Sequence, residues 1–165
     1  MRSWPIDPGH NGRVHISAKA EYAVRALLVM AADPENKPIP GETIARSQGM
    51  PVKFVENTLV ELRRTGLVAS QRGASGGFKL GRPANRITVA DVVRAVDGPL
   101  AEVRGDRPEN AIYEGPAAHL QIVWVATRAS LRSVLEHVTL ADVVSGKIPK
   151  RIAKLADTPD AWKPH

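Results

Sequence analysis

The stretch GETIARSQGMPVKFVENTLVELRRTGLVASQRGASGGFKL, residues 41–80, decides the fold of this chain. Its first part predicts a short helix over about 42–48, which ends at Gly49, because a residue without a Cβ favours the left-handed turn between two crossed helices. A second helix is predicted over about 51–65, since proline is tolerated in the first turn of a helix. The spacing therefore indicates a helix-turn-helix.

A hairpin is predicted directly after these two helices. Gly66 gives the stop signal for the second helix, and residues 67–70 and 77–80 alternate like two strands on either side of a tip at 71–76. Helix, turn, helix and hairpin in this order indicate a mainly α fold with a small β-hairpin wing, a winged helix-turn-helix, and double-stranded DNA as the ligand.

Positive charge is concentrated in the same part of the chain. Residues 51–86 contain seven Lys and Arg against two Glu, a net charge of +5, and the whole chain carries +6. The basic residues are Lys53, Arg63, Arg64, Arg72, Lys79, Arg82 and Arg86. A cluster of cations binds a phosphate backbone favourably, because binding releases counterions. Any single Lys or Arg could instead belong to a solvated face.

The composition excludes several classes of protein. The chain has 165 residues and no cysteine, which rules out disulfides, zinc-thiolate sites and thiol catalysis. No run of about 18 apolar residues and no secretory leader is present, so we expect a cytoplasmic protein without a membrane span. There is no Gly-x-Ser-x-Gly elbow and no pair of His at metal spacing, and GASGG (73–77) lacks the GK[ST] of a phosphate loop. We therefore do not expect an enzyme.

The flanking segments complete the predicted organisation. Ser17 can cap a first helix, Thr88 a short helix over about 89–96, and Thr139 a last short helix over about 140–144. We expect little fixed structure in the basic, proline-bearing C-terminal tail. The predicted parts are a disordered N-terminal extension (1–14), a winged helix-turn-helix domain (15–99), a flexible loop (100–116), a dimerisation helix with a short docking helix (117–146) and the basic C-terminal tail (147–165).

A long helix is predicted over about 117–137, where apolar residues recur every three and four positions. Such a helix is about 30 Å long, more than the small winged domain can cover, so we expect its apolar stripe to pack on a second copy. The alternative is a helix folded back on its own domain. The predicted dimer interface consists of Leu120, Val123, Trp124, Thr127, Leu131, Val134, Leu135 and Val138.

Several segments resemble one family of bacterial regulators. These segments are ISAKAEYAVRALL (16–28), LRRTGLV (62–68), QRGASGGFKLGRP (71–83), ITVADVVRAVDGPL (87–100) and VTLADVV (138–144). In this order they resemble the winged-helix Rrf2 family typified by IscR, NsrR and CymR. The resemblance implies a homodimer whose long C-terminal helices cross, with a recognition helix in each major groove and each wing tip in a neighbouring minor groove. Members are more often repressors.

The resemblance also implies a set of DNA contacts. Glu56 can accept from cytosine N4, Asn57 can bridge adenine N6 and N7, and Lys53 can reach guanine or phosphate. Arg72 suits a narrow minor groove, whereas Phe54 could be core or contact a thymine methyl. The predicted DNA-binding residues are Ser17, Lys19, Arg25, Pro51, Val52, Lys53, Glu56, Asn57, Arg63, Arg72, Gly73, Ser75, Gly76 and Gly77.

The chain departs from the family in its sensing residues. Many members hold an iron-sulfur cluster through three cysteines in the loop after the DGPL motif, and some add a ligand from the first helix. Glu21 occupies that helix position, but loop 101–116 has no cysteine, and His119 and His137 make a poor ligand set. We therefore expect no cofactor or metal, and a response to a small molecule, to a protein partner or to no ligand. A vestigial cluster site or an effector site is expected at Glu21, between loop 101–116, the first helix and the partner's long helix.

The function predicted from the sequence is that of a homodimeric, sequence-specific transcriptional regulator that binds a two-fold symmetric operator, more often as a repressor. The alternative is a protein-interaction module that keeps the winged fold without regulated DNA binding. The polar residues Lys53, Glu56, Asn57 and Arg72 favour the first interpretation.

Overall fold

The computed structural model describes residues 16–164, and the predicted N-terminal extension at 1–14 lies outside them. The described chain is mostly helical, with one two-stranded antiparallel hairpin. Its elements are α1 (Ala18–Ala31), α2 (Gly41–Ser47), α3 (Val52–Arg64), β1 (Val68–Gln71), β2 (Gly77–Leu80), α4 (Val89–Asp97), α5 (Leu120–Leu135), α6 (Leu140–Ser145) and α7 (Lys150–Ala156). None of these helices is both long and apolar enough to cross a bilayer.

The first helix lies at the centre of the domain. The Ser17 hydroxyl caps α1 by accepting from the backbone N–H of Ala20 at 2.9 Å, which satisfies one of the free donors at the helix start. One side of α1 is fully buried and packs against α3, α4 and α6. The buried residues of α1 are Ala20, Ala23, Ala26, Leu27 and Met30. Small side chains at three of these positions let the surrounding helices approach closely.

The predicted helix-turn-helix is present. α2 and α3 are separated by a turn in which Gly49 has φ +62°, and Gly66 follows α3 with φ +74°. Both values lie in the left-handed region that glycine adopts at little cost. Met50 is buried between the two helices, and its N–H donates to the carbonyl of Ala45 at 2.9 Å. The turn is therefore held both by backbone hydrogen bonding and by apolar packing.

The wing is a hairpin with a third segment at its edge. β1 and β2 pair antiparallel with Val68 opposite Leu80, and β1 lies one residue later than the predicted strand 67–70, so that Gln71 is paired rather than part of the tip. Ile39 adds a short bridge to β2, exchanging two backbone hydrogen bonds with Phe78 at 2.8 and 2.9 Å. The Asn36 side chain extends this pairing, because its amide both donates to and accepts from the backbone of Leu80. Residues 33–40 contain three prolines and no apolar periodicity, so the sequence gives no sign of this single paired residue.

Two short helices begin with the same capping device. Thr88 and Asp91 form a capping box at the start of α4, and Thr139 and Asp142 form one at the start of α6. The segments before the two helices pair with each other, because the N–H of Leu140 donates to the carbonyl of Ile87 at 2.9 Å. The chain thus returns from α5 to the winged domain at a defined point.

The C-terminal part differs from the sequence expectation in two places. α5 begins at Leu120 rather than near 117, after a separate 3₁₀ turn at Gly115–Ala117. The tail, where we expected little fixed structure, contains α7 and a 3₁₀ turn at Pro159–Trp162. That expectation was wrong, because KRIAKLA has good helix formers and the preceding Pro149 suits a helix start. Arg151 also anchors α7 by donating to the Ser133 carbonyl of α5 at 2.8 Å.

Candidate nucleic-acid interface

The second helix of the helix-turn-helix has one buried and one open face. Val55, Thr58, Leu59 and Leu62 are buried and hold α3 against the domain. The open face carries three exposed polar side chains near the start of the helix, Lys53, Glu56 and Asn57. Within residues 16–164 none of the three makes a side-chain hydrogen bond or an ion pair. Their donors and acceptors are therefore available to a ligand.

The start of α3 offers a further feature that suits phosphate. Pro51 stands at the N-cap, and no side chain caps the first turn. The first backbone N–H groups of an α-helix have no partner inside the helix, and the helix dipole makes this end attractive to anions. Pro51 is exposed and Val52 is half-buried beside it. The two residues predicted as contacts thus flank an open helix start.

The tip of the wing is exposed and positively charged. Arg72 has no side-chain hydrogen bond or ion pair with the described part of the chain, and Gly73 to Ser75 are also exposed. Gly73 has φ +106°, and its carbonyl accepts from the N–H of Gly76 at 2.9 Å, which closes the tip. A guanidinium on a narrow exposed turn has the shape that a minor groove accepts.

Close packing within the chain explains why glycines occupy the two positions behind the tip. A Cβ on Gly76 would lie 2.4 Å from the carbonyl oxygen of Gln71, and one on Gly77 would lie 2.4 Å from the backbone of Ile39. A side chain does not fit at either position. By contrast, nothing lies within 4 Å of a Cβ on Gly73. The packing of the wing therefore accounts for Gly76 and Gly77 without a phosphate, and only Gly73 keeps open space.

The predicted cations of α1 are engaged inside the chain. Lys19 Nζ lies 2.6 Å from the Glu61 carboxylate of α3. Arg25 pairs with Glu21 at 3.2 Å, donates to the backbone carbonyl of Gln48 and lies over the Tyr22 ring at 5.9 Å. These contacts tie α1 to α3 and to the turn before it. They orient the recognition helix, which is a different task from contacting phosphate.

Ser17 and Arg63 also have partners. The Ser17 hydroxyl, already used as the cap of α1, donates to Asp97 at 2.8 Å, and Arg63 donates to the Ser70 hydroxyl of β1 at 3.1 Å. The structure thus separates the predicted site residues into two groups. Lys53, Glu56, Asn57 and Arg72 have no side-chain partner in the described part of the chain, whereas Ser17, Lys19, Arg25 and Arg63 hold elements together.

An aromatic pair lies beside the recognition helix. The Phe54 ring packs edge-to-face on Tyr22 with 5.5 Å between centroids, and Phe54 remains 39% exposed. It belongs neither to the closed core nor to a fully open surface, the two alternatives left open by the sequence. Tyr22 was missing from the predicted site, although its ring is the one that both Arg25 and Phe54 contact. A lone tyrosine in an alanine-rich helix was the only signal for it.

The cysteine-ligated cluster of the resembling family does not fit the donors present here. The sequence has no cysteine, and the described residues contain no group of three or more His, Asp or Glu side chains that could hold a metal ion. Glu21 is paired with Arg25 of the same helix. Loop 101–116 contains four carboxylates and two arginines, and Arg94 of α4 and Arg128 and Arg132 of α5 adjoin it.

The long helix does not present the predicted stripe as one open face. Most of its residues are half-buried on the side of α5 that faces 108–113, where Trp124 donates to the Tyr113 hydroxyl at 3.1 Å. Leu135 packs against the core cluster of α4, and Val138 is buried in the single chain. Val123, at 52% exposed, is the most open member of the stripe.

The opposite side of α5 carries apolar residues that the sequence analysis did not select. Ile122 is 66% exposed and Val125 is 37% exposed, and the same side also carries Ala126 and Ala129. No residue of α5 is buried within the chain. The sequence contained a signal for this second apolar side, because residues 120–126 are nearly all apolar and therefore lie on both sides of the helix.

Comparison with known proteins places this arrangement in a family. A family model described as "Rrf2: Iron-dependent Transcriptional regulator" matches residues 16–146. A Mycobacterium tuberculosis (strain H37Rv) protein named "Putative HTH-type transcriptional regulator Rv1287" is 47% identical over 148 residues, covering 87% of this chain and 89% of that protein. The transcriptional regulator IscR of Pectobacterium atrosepticum is 32% identical over 145 residues, covering 88% of each chain.

Solved structures agree with the sequence comparisons. CymR, the global cysteine regulator of B. subtilis, has a TM-score of 0.69 at 29% identity and covers 81% of this chain and 98% of its own. The IscR of T. potens has a TM-score of 0.63 at 28% identity, covering 92% and 93%. The relatives are transcriptional regulators, which confirms the predicted fold, the predicted family and the expectation of a non-enzymatic protein. The chain therefore belongs to the Rrf2 family of winged-helix, DNA-binding transcriptional regulators.

Proposed function

We propose that the chain is a homodimeric, sequence-specific transcriptional repressor that acts in the cytoplasm on a two-fold symmetric operator. The observation that carries the proposal is the open face of α3, where Lys53, Glu56 and Asn57 are exposed and unpartnered while the opposite face is buried. A buried polar network would explain such residues structurally, but these three have no partner within residues 16–164. Their chemistry suits base edges in a major groove.

In this proposal the parts of the chain divide the work. The winged domain, residues 15–99, binds DNA, and residues 117–146 hold two copies together. Arg72 enters a minor groove next to the recognition helix, and the open start of α3 meets a phosphate. Lys19, Arg25 and Arg63 support α3 through their contacts to Glu61, Gln48 and Ser70.

The proposal does not include a cysteine-ligated cluster. The sequence provides no thiolate, and Glu21 is held by Arg25. Regulation by a small molecule or by a protein partner takes its place. The arrangement of charged residues around loop 100–116 supports a small-molecule effector.

A selection from random duplex DNA tests the proposal directly. We expect a palindromic motif whose half-sites lie about one helical turn, roughly 34 Å, apart, because a dimer presents two identical recognition helices. Affinity should fall steeply between low and physiological salt. If the selection returned no palindrome and the affinity did not depend on salt, the DNA-binding proposal would be wrong. The protein-interaction module would then be the better interpretation.

Three substitutions separate the roles of the site residues. Glu56→Ala should relax discrimination at one base position, whereas Arg72→Ala should lower affinity and weaken a preference for A·T pairs. A lost base contact costs about 1 to 3 kcal/mol. Arg63→Ala is the matched control for Arg72→Ala, since it removes one guanidinium that is already bonded to Ser70. An unchanged sequence preference in Glu56→Ala would remove that residue from the base-reading set.

A further inference from the structure

A cleft with four arginines lies between the winged domain and the long helix. It has a volume of about 490 Å³ and is formed by the end of α4, the 3₁₀ turn at Pro108–Asn110 and the middle of α5. Its charged lining consists of Arg94, Arg107, Arg128, Arg132 and Glu109. Gly98, Pro99 and Leu100 form its uncharged side. The volume falls within the range of small-molecule sites in proteins.

The arginines of this cleft are only partly neutralised. Arg128 pairs with Glu109 at 2.5 Å, and Glu136 is shared between Arg94 and Arg132, the latter at 2.9 Å. Two carboxylates therefore serve three guanidinium groups. Arg107 has no carboxylate oxygen within 4.0 Å of its guanidinium among the described residues. Asp106 and Glu109 also interact electrostatically with Arg107, so four guanidinium groups lie near three carboxylates and the cavity keeps a net positive charge.

The ion pairs also hold the guanidinium groups in place. Arg128 is 19% exposed in its pair with Glu109, and Glu136 is 25% exposed. Hydrogen bonds from Arg94 and then Arg132 lower the pKa of Glu136, so this carboxylate stays charged and keeps both arginines oriented. The planar guanidinium fork fits carboxylate and phosphate oxygens with two parallel hydrogen bonds. An ordered set of such forks with surplus positive charge is suited to an anion.

We infer that this cleft binds a small organic dianion, a dicarboxylate or a phosphate ester, with Arg107 and Arg128 contacting its oxygens. The apolar atoms of Pro99 and Leu100 lie against the carbon part of the ligand. A phosphate of DNA is less suited to the place, because the unpartnered cations Lys53 and Arg72 lie on a convex helix face and a hairpin tip, whereas this site is concave and contains carboxylates.

The position of the cleft indicates how such a ligand could act. α4 belongs to the winged domain, and α5 carries the proposed dimer contacts, so a ligand held by both would fix the angle between them. Binding of the anion does not depend on the proposed DNA-binding function. Its effect on the operator does depend on that function, and the two are measured separately.

The test uses the full chain without DNA, with inorganic phosphate and succinate as probes and chloride at equal ionic strength as the reference. We expect both probes, or one of them, to raise the melting temperature and to bind with a measurable heat. Arg107→Gln should weaken that binding at least tenfold, because the side chain of Arg107 is exposed and forms no ion pair within residues 16–164. Preference for phosphate over succinate, or the reverse, distinguishes the two sources of dianion.

Arg46→Gln is the matched control. Arg46 forms an i,i+4 pair with Glu42 on α2, as Arg132 does with Glu136, but it lies outside the cleft. The anion affinity of the Arg46→Gln variant should equal that of the native protein. The inference would be overturned if neither probe acted beyond chloride, or if Arg46→Gln weakened binding as much as Arg107→Gln. It would also be overturned if Arg107→Gln changed only the monomer–dimer equilibrium, since a carboxylate of a second copy would then fill the cleft.

Discussion

The winged domain and the long helix α5 differ in how far their apolar side chains are buried. In the winged domain the large side chains of α1, α3 and α4 are buried within one chain, and Leu27, Leu59 and Leu62 have no exposed surface. In α5 no residue is buried, and Ile122 and Val123 are more than half exposed. The winged domain therefore buries its own apolar core, whereas α5 leaves apolar side chains exposed, a feature typical of interaction surfaces.

This difference matters because helices are held mainly by packing. A helix of sixteen residues with little buried surface is marginal in water when isolated. α5 is joined to its own chain along one side, through Trp124 to Tyr113 near its start, Arg128 to Glu109 in its middle and Leu135 to the core cluster of α4. Its opposite side is the part that a second copy would stabilise.

The largest effect is expected from the core of the winged domain. Leu59→Ala should lower the free energy of unfolding by about 2 to 5 kcal/mol, because Leu59 is fully buried in α3 and its truncation leaves a cavity. Urea unfolding followed by circular dichroism measures this cost. Leu155→Ala in α7, where the side chain is 60% exposed, is the control and should change stability little. Equal costs in the two variants would contradict the contrast between a closed domain and an open C-terminal part.

The next effect concerns association. Val123→Glu should produce monomers, since an unpaired charge buried in an interface costs about 3 kcal/mol or more, equivalent to a hundredfold or more in the dissociation constant. Sedimentation velocity measures the dimer, and operator affinity should fall with it. Leu155→Glu places the same charge on an exposed side chain of α7 and should leave the dimer intact.

A second variant identifies the face of α5 that meets the partner. Ile122 lies on the side opposite to the half-buried stripe and is the more exposed residue. If Ile122→Glu dissociates the dimer and Val123→Glu does not, the contact lies on the side that the sequence analysis did not select. A dimer that survives both substitutions would remove α5 from the interface.

How far the sequence predicts the molecule follows from the same contrast. The winged domain was predictable because its signals are local: Gly49 and Gly66 end helices with positive φ, and the alternation in 67–80 indicates a hairpin, although the first strand lies one residue later than predicted. The bridge between Ile39 and Phe78 was not predictable from the sequence, because a single paired residue between prolines has no periodicity. Long-range pairing of that kind is visible only in three dimensions.

The sequence predicted which residues belong to the candidate site, but not which of them are already bonded within the folded chain. Lys19, Arg25 and Lys53 look alike in the sequence, yet the first two are bonded within the chain and the third has no partner among residues 16–164. The cleft arginines were also missed, because Arg94, Arg107 and Arg128 are far apart in sequence and only the packing of α4, loop 100–116 and α5 brings them together. Spacing rules apply within one element and not between elements.

A smaller effect tests how the wing is attached to the domain. Gly77→Ala should destabilise the chain by about 1 to 3 kcal/mol, since its Cβ would lie 2.4 Å from the Ile39 backbone and the bridge to Phe78 would have to open. Thermal unfolding measures the cost. Gly73→Ala at the open tip adds only the strain of a left-handed residue and should cost less. The reverse order would mean that the tip, rather than the Ile39 bridge, holds the wing.

The smallest effect lies at the junction between the two regions, where the capping box of α6 returns the chain from α5 to the winged domain. A hydrogen bond from the Thr139 backbone N–H, and then one from its hydroxyl, lower the pKa of Asp142 below its usual range. A carboxyl whose pKa is depressed by folding stabilises the protein above its unfolded pKa of about 3.9, and this stabilisation is lost as the pH falls through the folded value. The native protein should therefore lose melting temperature between about pH 5 and pH 2 more steeply than Asp142→Asn, which cannot titrate. Thr139→Val removes the hydroxyl but keeps the backbone donor, so its pH dependence should lie between the two. Melting curves recorded in steps across this range measure the difference, and parallel curves for native protein and Asp142→Asn would show that the box does not hold the junction through its charge.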